Sequence, residues 1–414
     1  MTDDLRAAIA TATKGVTKKW KQAKRSADRN DRVSASKVRM LRYAPPRVTI
    51  REVAFRVMED AYNKASANGK YYANARQIMY AARPAILAEC DAVEFNDVYF
   101  TQTLLKDYIE DYAPDWNVVW DARGNLIEPH TNERVALGGI GVKNYMDNWC
   151  SEIVEETPEI QERIDTKGPI NRFSSVLFIE KEGFTEILTH AGIGKRFDMA
   201  IMSTKGLPVA AACDLIEAMD DQGVRVFVLH DFDLAGFKIV RTLKRGTRLS
   251  QGTDVIDLGL RLADVDGLSS EPVSYRQDKH PSYYLRSCGA TAEEIDFLVS
   301  SGWPGSWSGE RVEINAMTSD QLIAWLEQKF SEHDVKKVIP EPARLKEAYQ
   351  RAVFLKRMEQ KIEEIEDEIK DDEFAVPKRL AARVKTMLKK RPTLSWDDAI
   401  WQIAEDAEDS EGAL

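Results

Sequence analysis

Two apolar runs in this chain finish on acids. "VLFIEKEGF", residues 176–184, ends its run at Glu180, and "VRVFVLHDFDLAG", residues 224–236, ends its run at Asp231 and Asp233. Uninterrupted apolar runs of this length are the strands of a sheet covered on both faces. Such strands need no carboxylate at their tips, and clustered carboxylates repel one another. The two endings therefore call for something cationic beside them.

The surrounding sequence supplies the frame. From residue 172 strand-like and helix-like segments alternate: "SSVLFIEKEG", "GFTEILTHAGI", "FDMAIMSTKG", "PVAAACDLIEAMDDQG", "VRVFVLHDFDLAG" and "FKIVRTLKRG". That alternation predicts a mostly parallel, Rossmann-like α/β sheet. Ligands of such sheets bind at the carboxyl ends of the strands, where Glu180, Asp231 and Asp233 fall. "TDVIDLGLRL" and "TSDQLIAWLEQKF" continue this domain as a strand and a helix, so its expected extent is 172–340.

The N-terminal half reads differently. Residues 14–47 carry twelve Lys and Arg against Asp28 and Asp31, in a chain of net charge −10. Residues 1–47 are expected to be a basic helical arm, with Lys18, Lys19, Lys21, Lys24 and Arg25 as candidates for contact with a nucleic-acid backbone; a solvated arm is the alternative. In residues 48–150, Val48, Ile50, Val53, Ala54, Val57, Met58 and Ala61 share one helical face. "ANARQIMYAARPAILAE" restarts a helix, and "WNVVWDARGNLIEP" reads as a hairpin turning at Gly-Asn. Helix, helix, ribbon is the order of a winged-helix DNA-binding module.

Residues 341–414 are expected to form a charged helical tail, in which Leu355, Met358, Ile362, Ile365 and Ile369 are spaced 3, 4, 3, 4. That spacing is a short coiled-coil seam or a face packed on its own domain. Cys90, Cys150, Cys213 and Cys288 form no CxxC pair, which argues against a zinc site or disulfide framework. With no signal-like N-terminus and no long apolar run, the chain is expected to be cytoplasmic, associated with the nucleoid and away from membranes.

A Glu after one buried strand and Asp-x-Asp after another is an arrangement of hard oxygen ligands suited to Mg²⁺. Acids that cap helix N-termini are the alternative. His230, beside the cluster, is read as a packed strand-end histidine, with the orienting of a phosphate or ligand as the alternative.

"FIEKEG" and "LHDFDLAG" resemble the Toprim domain shared by topoisomerases, bacterial primases and some nucleases. "NARQIMYAARP", "STKGLPV" and "RVEINAMTSDQLIAWL" are similar to segments of the topoisomerase VI A subunit family, which includes the meiotic protein that makes double-strand breaks. The resemblance covers about residues 48–330 and implies a winged-helix domain followed by Toprim. It assigns the nucleophile's place to Tyr80, with Met79 where the family has another aromatic residue. It gives Glu180 acid–base or metal-related duty and Asp231 and Asp233 Mg²⁺ binding. Glu182 has no firm counterpart. Arg76, one turn before Tyr80, would stabilise the phenoxide or the transferring phosphorus. Lys205, in the "STKG" turn, is a further candidate for DNA contact.

The implied activity is Mg²⁺-dependent double-strand DNA cleavage through a 5′-phosphotyrosyl link, with religation left open. The implied partners are double-stranded DNA, a second copy of the chain, and a separate ATPase subunit of the B type, since no phosphate-binding Gly-rich loop is evident. The alternative is a Toprim nuclease that uses water, as in the nuclease subunit of Wadjet-type plasmid defence. A scaffold that binds DNA without cutting it is the third reading.

Overall fold

The computed structural model describes residues 48–90, 95–120, 124–129, 131, 133–149, 166–204, 210–245, 252–369 and 376–411. Lys18, Lys19, Lys21, Lys24, Arg25 and Lys205 lie outside the described residues.

Helix α1 (Ile50–Ser66) starts at a capping box. The Thr49 side chain accepts from the Glu52 N–H, and the Glu52 carboxylate accepts from the Thr49 N–H. Its Val53, Ala54, Met58 and Ala61 are buried as their spacing requires, whereas Val48 lies outside the helix and is exposed. After β1 (Ala73–Asn74), helix α2 (Ala75–Cys90) buries Ile78, Met79, Tyr80, Ala82 and Ile86. These two helices share one core with Phe100 and Leu104 of a π-helical turn and Leu105 of α3 (Leu105–Tyr112).

The expected hairpin at 116–129 is not formed. β2 (Val118–Val119) pairs in parallel with β1, and the hairpin joins β3 (Asn125–Ile127) to β4 (Arg134–Ala136). The Gly-Asn pair thus leads into a strand instead of turning one. Burial explains the difference: Val118 and Val119 enter the core, whereas Leu126 and Ile127 face solvent. Helix α4 (Gly139–Asp147) follows.

The expected parallel sheet is present. β5 (Ser175–Ile179), α5 (Phe184–His190), α6 (Ile193–Phe197), β6 (Met199–Ser203), α7 (Ala210–Asp220), β7 (Arg225–Leu229), α8 (Leu234–Arg245) and β8 (Val255–Gly259) succeed one another. The strands lie in the order β6-β5-β7-β8, all parallel. Alternate side chains of the two central strands serve two cores. Leu177, Ile179, Phe227 and Leu229 enter one, and Val176, Phe178, Val226 and Val228 enter the other. That double burial is why these strands read as unbroken apolar runs.

β9 (Glu271–Tyr275), α9 (Pro281–Ser287), α10 (Ala292–Leu298), β10 (Ser301–Trp303) and β11 (Ser306–Arg311) come next. The three strands form an antiparallel sheet in the order β10-β11-β9. Just beyond β11, Val312 bridges Phe232 through a reciprocal pair of backbone hydrogen bonds of 2.8 and 3.1 Å. This stitch brings the segment after β11 to the acidic end of β7. Helices α11 (Ser319–Glu332), α12 (Pro342–Ile369), α13 (Leu380–Lys390) and α14 (Trp396–Glu411) complete the described chain.

Candidate functional site

β5 and β7 are in-register neighbours that pair Ile179 with Leu229. The Glu180 N–H then donates to the Leu229 carbonyl at 3.3 Å, which extends the ladder by one residue. The acids that stand fifty residues apart in sequence are therefore brought to one edge. His230 is fully buried there. Its Nδ1 lies 2.7 Å from the Asp231 carbonyl and its Nε2 lies 3.0 Å from Asp257 Oδ1. Both ring nitrogens thus face acceptors. Burial opposes a charged ring, but the Asp257 carboxylate outweighs it and raises the His230 pKa. His230 ties β7 to β8 and is the packed histidine the sequence suggested.

Asp231 is held on both oxygens. Oδ1 accepts from the Ile314 N–H at 2.8 Å, and Oδ2 lies 2.7 Å from Lys181 Nζ. Asp233 Oδ1 accepts from the Gly236 N–H at 2.7 Å, in the first turn of α8, where the helix dipole favours a negative charge. A Cβ on Gly236 would lie 2.2 Å from the Asp231 carbonyl oxygen, so the turn accommodates only glycine. Burial, reinforced by Asp231, raises the Asp233 pKa. Burial and the charges of Asp231 and Asp233 push Glu180 up to about 7. Its Oε2 is buried without a hydrogen-bond partner.

The cation that the strand-end acids call for is built in. Lys181 Nζ bridges Asp231 Oδ2 at 2.7 Å and Glu313 Oε2 at 2.9 Å. Burial alone would lower the lysine's pKa, but these two carboxylates outweigh it and raise it. Glu313 also takes Arg76 Nη1 at 2.7 Å and Arg311 Nη2 at 2.9 Å. Burial would raise its pKa, yet Lys181, Arg76 and Arg311 hold it well below the usual carboxylate range. Sequence reasoning missed Glu313 and Lys181. Lys181 stands between the two acids of the quoted "IEKEG", and Glu313 between Val312 and Ile314 of "RVEINAM", so the signals were a lone cation among strand-end acids and a charge between apolar residues.

Helix α2 turns one stripe toward this cluster. Arg76 pairs with Glu313 and with Asp97, and Arg83 pairs with Glu271. Tyr80 lies between them at 5% exposure, beside Glu271 and Arg311, and its hydroxyl has no partner in hydrogen-bond geometry. Burial, then Glu313 and Glu271, raise its pKa far above that of a free phenol. Tyr275, on β9, also buries an unpartnered hydroxyl, and burial and Asp233 raise its pKa. Gln77 fixes the start of α2. Its Nε2 donates to the Met317 carbonyl at 2.9 Å, and its Oε1 accepts from the Asn74 N–H at 2.8 Å.

The structure thus gathers Glu180, Asp231 and Asp233 and sets Arg76 and Tyr80 against the same cluster. Arg76 spends its guanidinium on Glu313 and Asp97. Hard carboxylate oxygens, one of them orphaned, suit Mg²⁺ in chemistry. As the side chains stand, Lys181 holds the Asp231 oxygen such an ion would use. Among the described residues no three His, Cys, Asp or Glu side chains stand ready to hold a metal. No described helix is long and apolar enough to cross a membrane.

The likeness read from the strand-end motifs is borne out over the sheet. Residues 175–269 match the family model for the Toprim domain of the topoisomerase 6 A subunit/Spo11 family. The match includes Glu180, Asp231 and Asp233 but neither Tyr80 nor Glu313. No curated protein matches the chain.

Proposed function

We propose, from that Toprim match and the site geometry, that the chain cleaves both strands of DNA in the manner of a topoisomerase VI A subunit. The observation that carries the reading is the docking of α2 on Glu313, which Lys181 ties to Asp231, and which sets Tyr80 beside Arg311 and one turn from Arg76. A tyrosine that only packed would gain from losing its hydroxyl, because a buried polar group without a partner costs about 1–3 kcal/mol. Phenylalanine would fill the same space. Tyr80→Phe therefore separates chemistry from packing.

In this reading Glu180, Asp231 and Asp233 would hold Mg²⁺, with Lys181 released from Asp231. The ion would neutralise the phosphate and the leaving oxygen. Arg76 and Arg311 stabilise charge on the phosphorus once they loosen from Glu313. Tyr80 gives up its phenolic proton to solvent and attacks the phosphorus, forming the phosphotyrosyl bond as the sugar oxygen leaves and takes up a proton. The buried, neutral phenol described here is a resting state, and the attack requires α2 to shift from the cluster. Residues 48–150 act as a winged-helix DNA module, with the basic arm and Lys205 on the backbone. Two copies place two sites on opposite strands, and strand passage would take a separate ATPase subunit.

The burial of Tyr80 favours a second reading, a Toprim nuclease in which water attacks the phosphorus. Supercoiled DNA is incubated with Mg²⁺ and the protein, and the reaction is stopped with detergent, with and without protease. Linear DNA that carries protein in wild type, is absent in Tyr80→Phe and is absent in Asp231→Ala supports the tyrosine reading. Equal cutting by Tyr80→Phe with free ends makes water the nucleophile. Equal cutting by Asp231→Ala removes the metal assignment.

A further inference from the structure

Residues 378–391, "KRLAARVKTMLKKR", hold seven Lys and Arg and no acid, in a chain of net charge −10. They make up α13 and its two ends. A block of like charge repels itself and commonly marks an interaction surface. Acidic segments flank it in sequence, in the second half of α12 and in α14. Neither neutralises it. Among the described residues Arg379, Arg383, Lys385, Lys389 and Lys390 make no ion pair, and the pairs Arg344–Glu347 and Lys361–Glu364 stay within α12.

The fold sorts α13 into two faces. Leu380, Val384, Met387 and Leu388 are half-buried, at the spacing of one helical face. Helix α14 packs on α13 and buries Ala399 and Ile403. The turn between the two helices is fixed by side chains. Ser395 Oγ accepts from the Asp398 N–H at 3.2 Å, the Ser395 N–H donates to Asp398 Oδ2 at 3.0 Å, and Arg391 Nη1 donates to Gln402 Oε1 at 2.8 Å. Along the other side of α13 runs a groove lined by Arg379, Arg383, Thr386, Lys390 and Arg391. At 1.5 Å per residue its four cations span about 18 Å. A DNA duplex carries one negative charge for about every 1.7 Å of its axis, so the groove can meet several phosphates at once.

The chemistry of the groove selects its occupant. A protein partner is held by large apolar or aromatic anchors. Among the described residues no exposed large apolar side chain lies between 378 and 391. Guanidinium, ammonium and hydroxyl donors are the groups that hold phosphate oxygens. The charged residues of α14 are all acids, so α13 faces a polyanion and α14 turns away from it.

We propose that the groove of α13 binds the phosphodiester backbone of a nucleic-acid duplex, at a site separate from the Toprim edge and from the basic arm. The site lies outside residues 175–269, which match the family model. It goes beyond the cleavage reading, because this binding needs neither Tyr80 nor a metal.

The full chain is titrated with a short fluorescent DNA duplex over a series of salt concentrations, in EDTA, so that metal-dependent cleavage does not enter. One variant combines Arg379→Gln, Arg383→Gln and Lys390→Gln. A second combines Arg344→Gln, Lys346→Gln and Arg351→Gln, which removes the same charge from α12. The groove variant is expected to bind more weakly and to flatten the logarithmic salt slope by about 2.7, at about 0.9 for each of three phosphates. The α12 variant is expected to keep the wild-type slope. All six positions are exposed, so far-ultraviolet circular dichroism should match wild type throughout. An unchanged slope in the groove variant, or equal flattening in both, would overturn the proposal. Thr386→Cys with a photo-crosslinker on its thiol is expected to link to the duplex above the background of the four native cysteines. Linkage to protein in place of the duplex would give the groove to an acidic segment and overturn the proposal as well.

Discussion

Replacing Lys181 by methionine keeps most of the side chain's stem and removes its charge. In the native site the ammonium lies 2.7 Å from Asp231 and 2.9 Å from Glu313, with the side chain 18% exposed. At an effective dielectric constant of about 20, each contact is worth about 6 kcal/mol in gross attraction. Desolvation of the ammonium offsets most of that. Removing one partner of a buried pair costs about 3–5 kcal/mol, because the other charge is stranded. Glu313 keeps Arg76 and Arg311, so the loss falls on Asp231, which keeps the Ile314 N–H. The low end, about 3 kcal/mol, is therefore expected, or a fall of about 6–12 °C in unfolding temperature. Mg²⁺ should then act more strongly on the variant, because the cluster has gained a negative charge and lost its internal competitor. Ligand at a hundredfold over its Kd stabilises by about 2.7 kcal/mol. Thermal unfolding in EDTA and in Mg²⁺, for both proteins, measures each effect. A variant as stable as wild type in EDTA, or an equal response to Mg²⁺, would refute the idea that Lys181 stands in for the ion.

Gly236→Ala should destabilise by about 3 kcal/mol or more in chemical denaturation, because its Cβ would meet the Asp231 carbonyl and His230 Nδ1. Tyr80→Phe should be as stable as wild type or more so by about 1 kcal/mol, since it deletes an unpartnered hydroxyl; a clear loss would reveal a partner. Glu180 favours its neutral form in the fold, so without metal its stabilising effect is full below pH 4.5 and is lost as pH rises through about 7. Unfolding followed across that window in EDTA should show the decline, and Mg²⁺ should remove it. Deleting residues 1–47 should flatten the salt dependence of DNA binding by about 0.9 in logarithmic slope for each phosphate that the arm neutralises. An unchanged slope would leave the arm a solvated segment.

The parallel sheet was legible because each central strand is buried on both faces and says so in one unbroken run. Glu180, Asp231 and Asp233 were legible for the related reason that a charge at the end of such a run is out of place. The hairpin was misread because Val118–Val119 and Leu126–Ile127 look alike as apolar pairs, although one pair is buried and the other is not. Glu313 was invisible as a partner of Lys181 and Arg76. They lie 132 and 237 residues away, and the Phe232–Val312 bridge and the Ile314 N–H to Asp231 bond bring that segment to the site. The register of a single pair of backbone hydrogen bonds has no signature in composition or periodicity.

That bridge also imposes an order of assembly. A chain emerging from the ribosome at about 5–20 residues per second presents Asp233 roughly 4–16 s before Glu313. During that interval the strand-end acids exist, Lys181 has only Asp231 to bind, and Arg76 lacks the carboxylate that docks α2. Arg76 of the tyrosine helix and Lys181 of the acidic edge gain their shared carboxylate only after the last strand of the antiparallel sheet has been made. A truncated product ending near residue 300 would carry every predicted catalytic residue but lack Glu313, the carboxylate that Arg76 and Lys181 share.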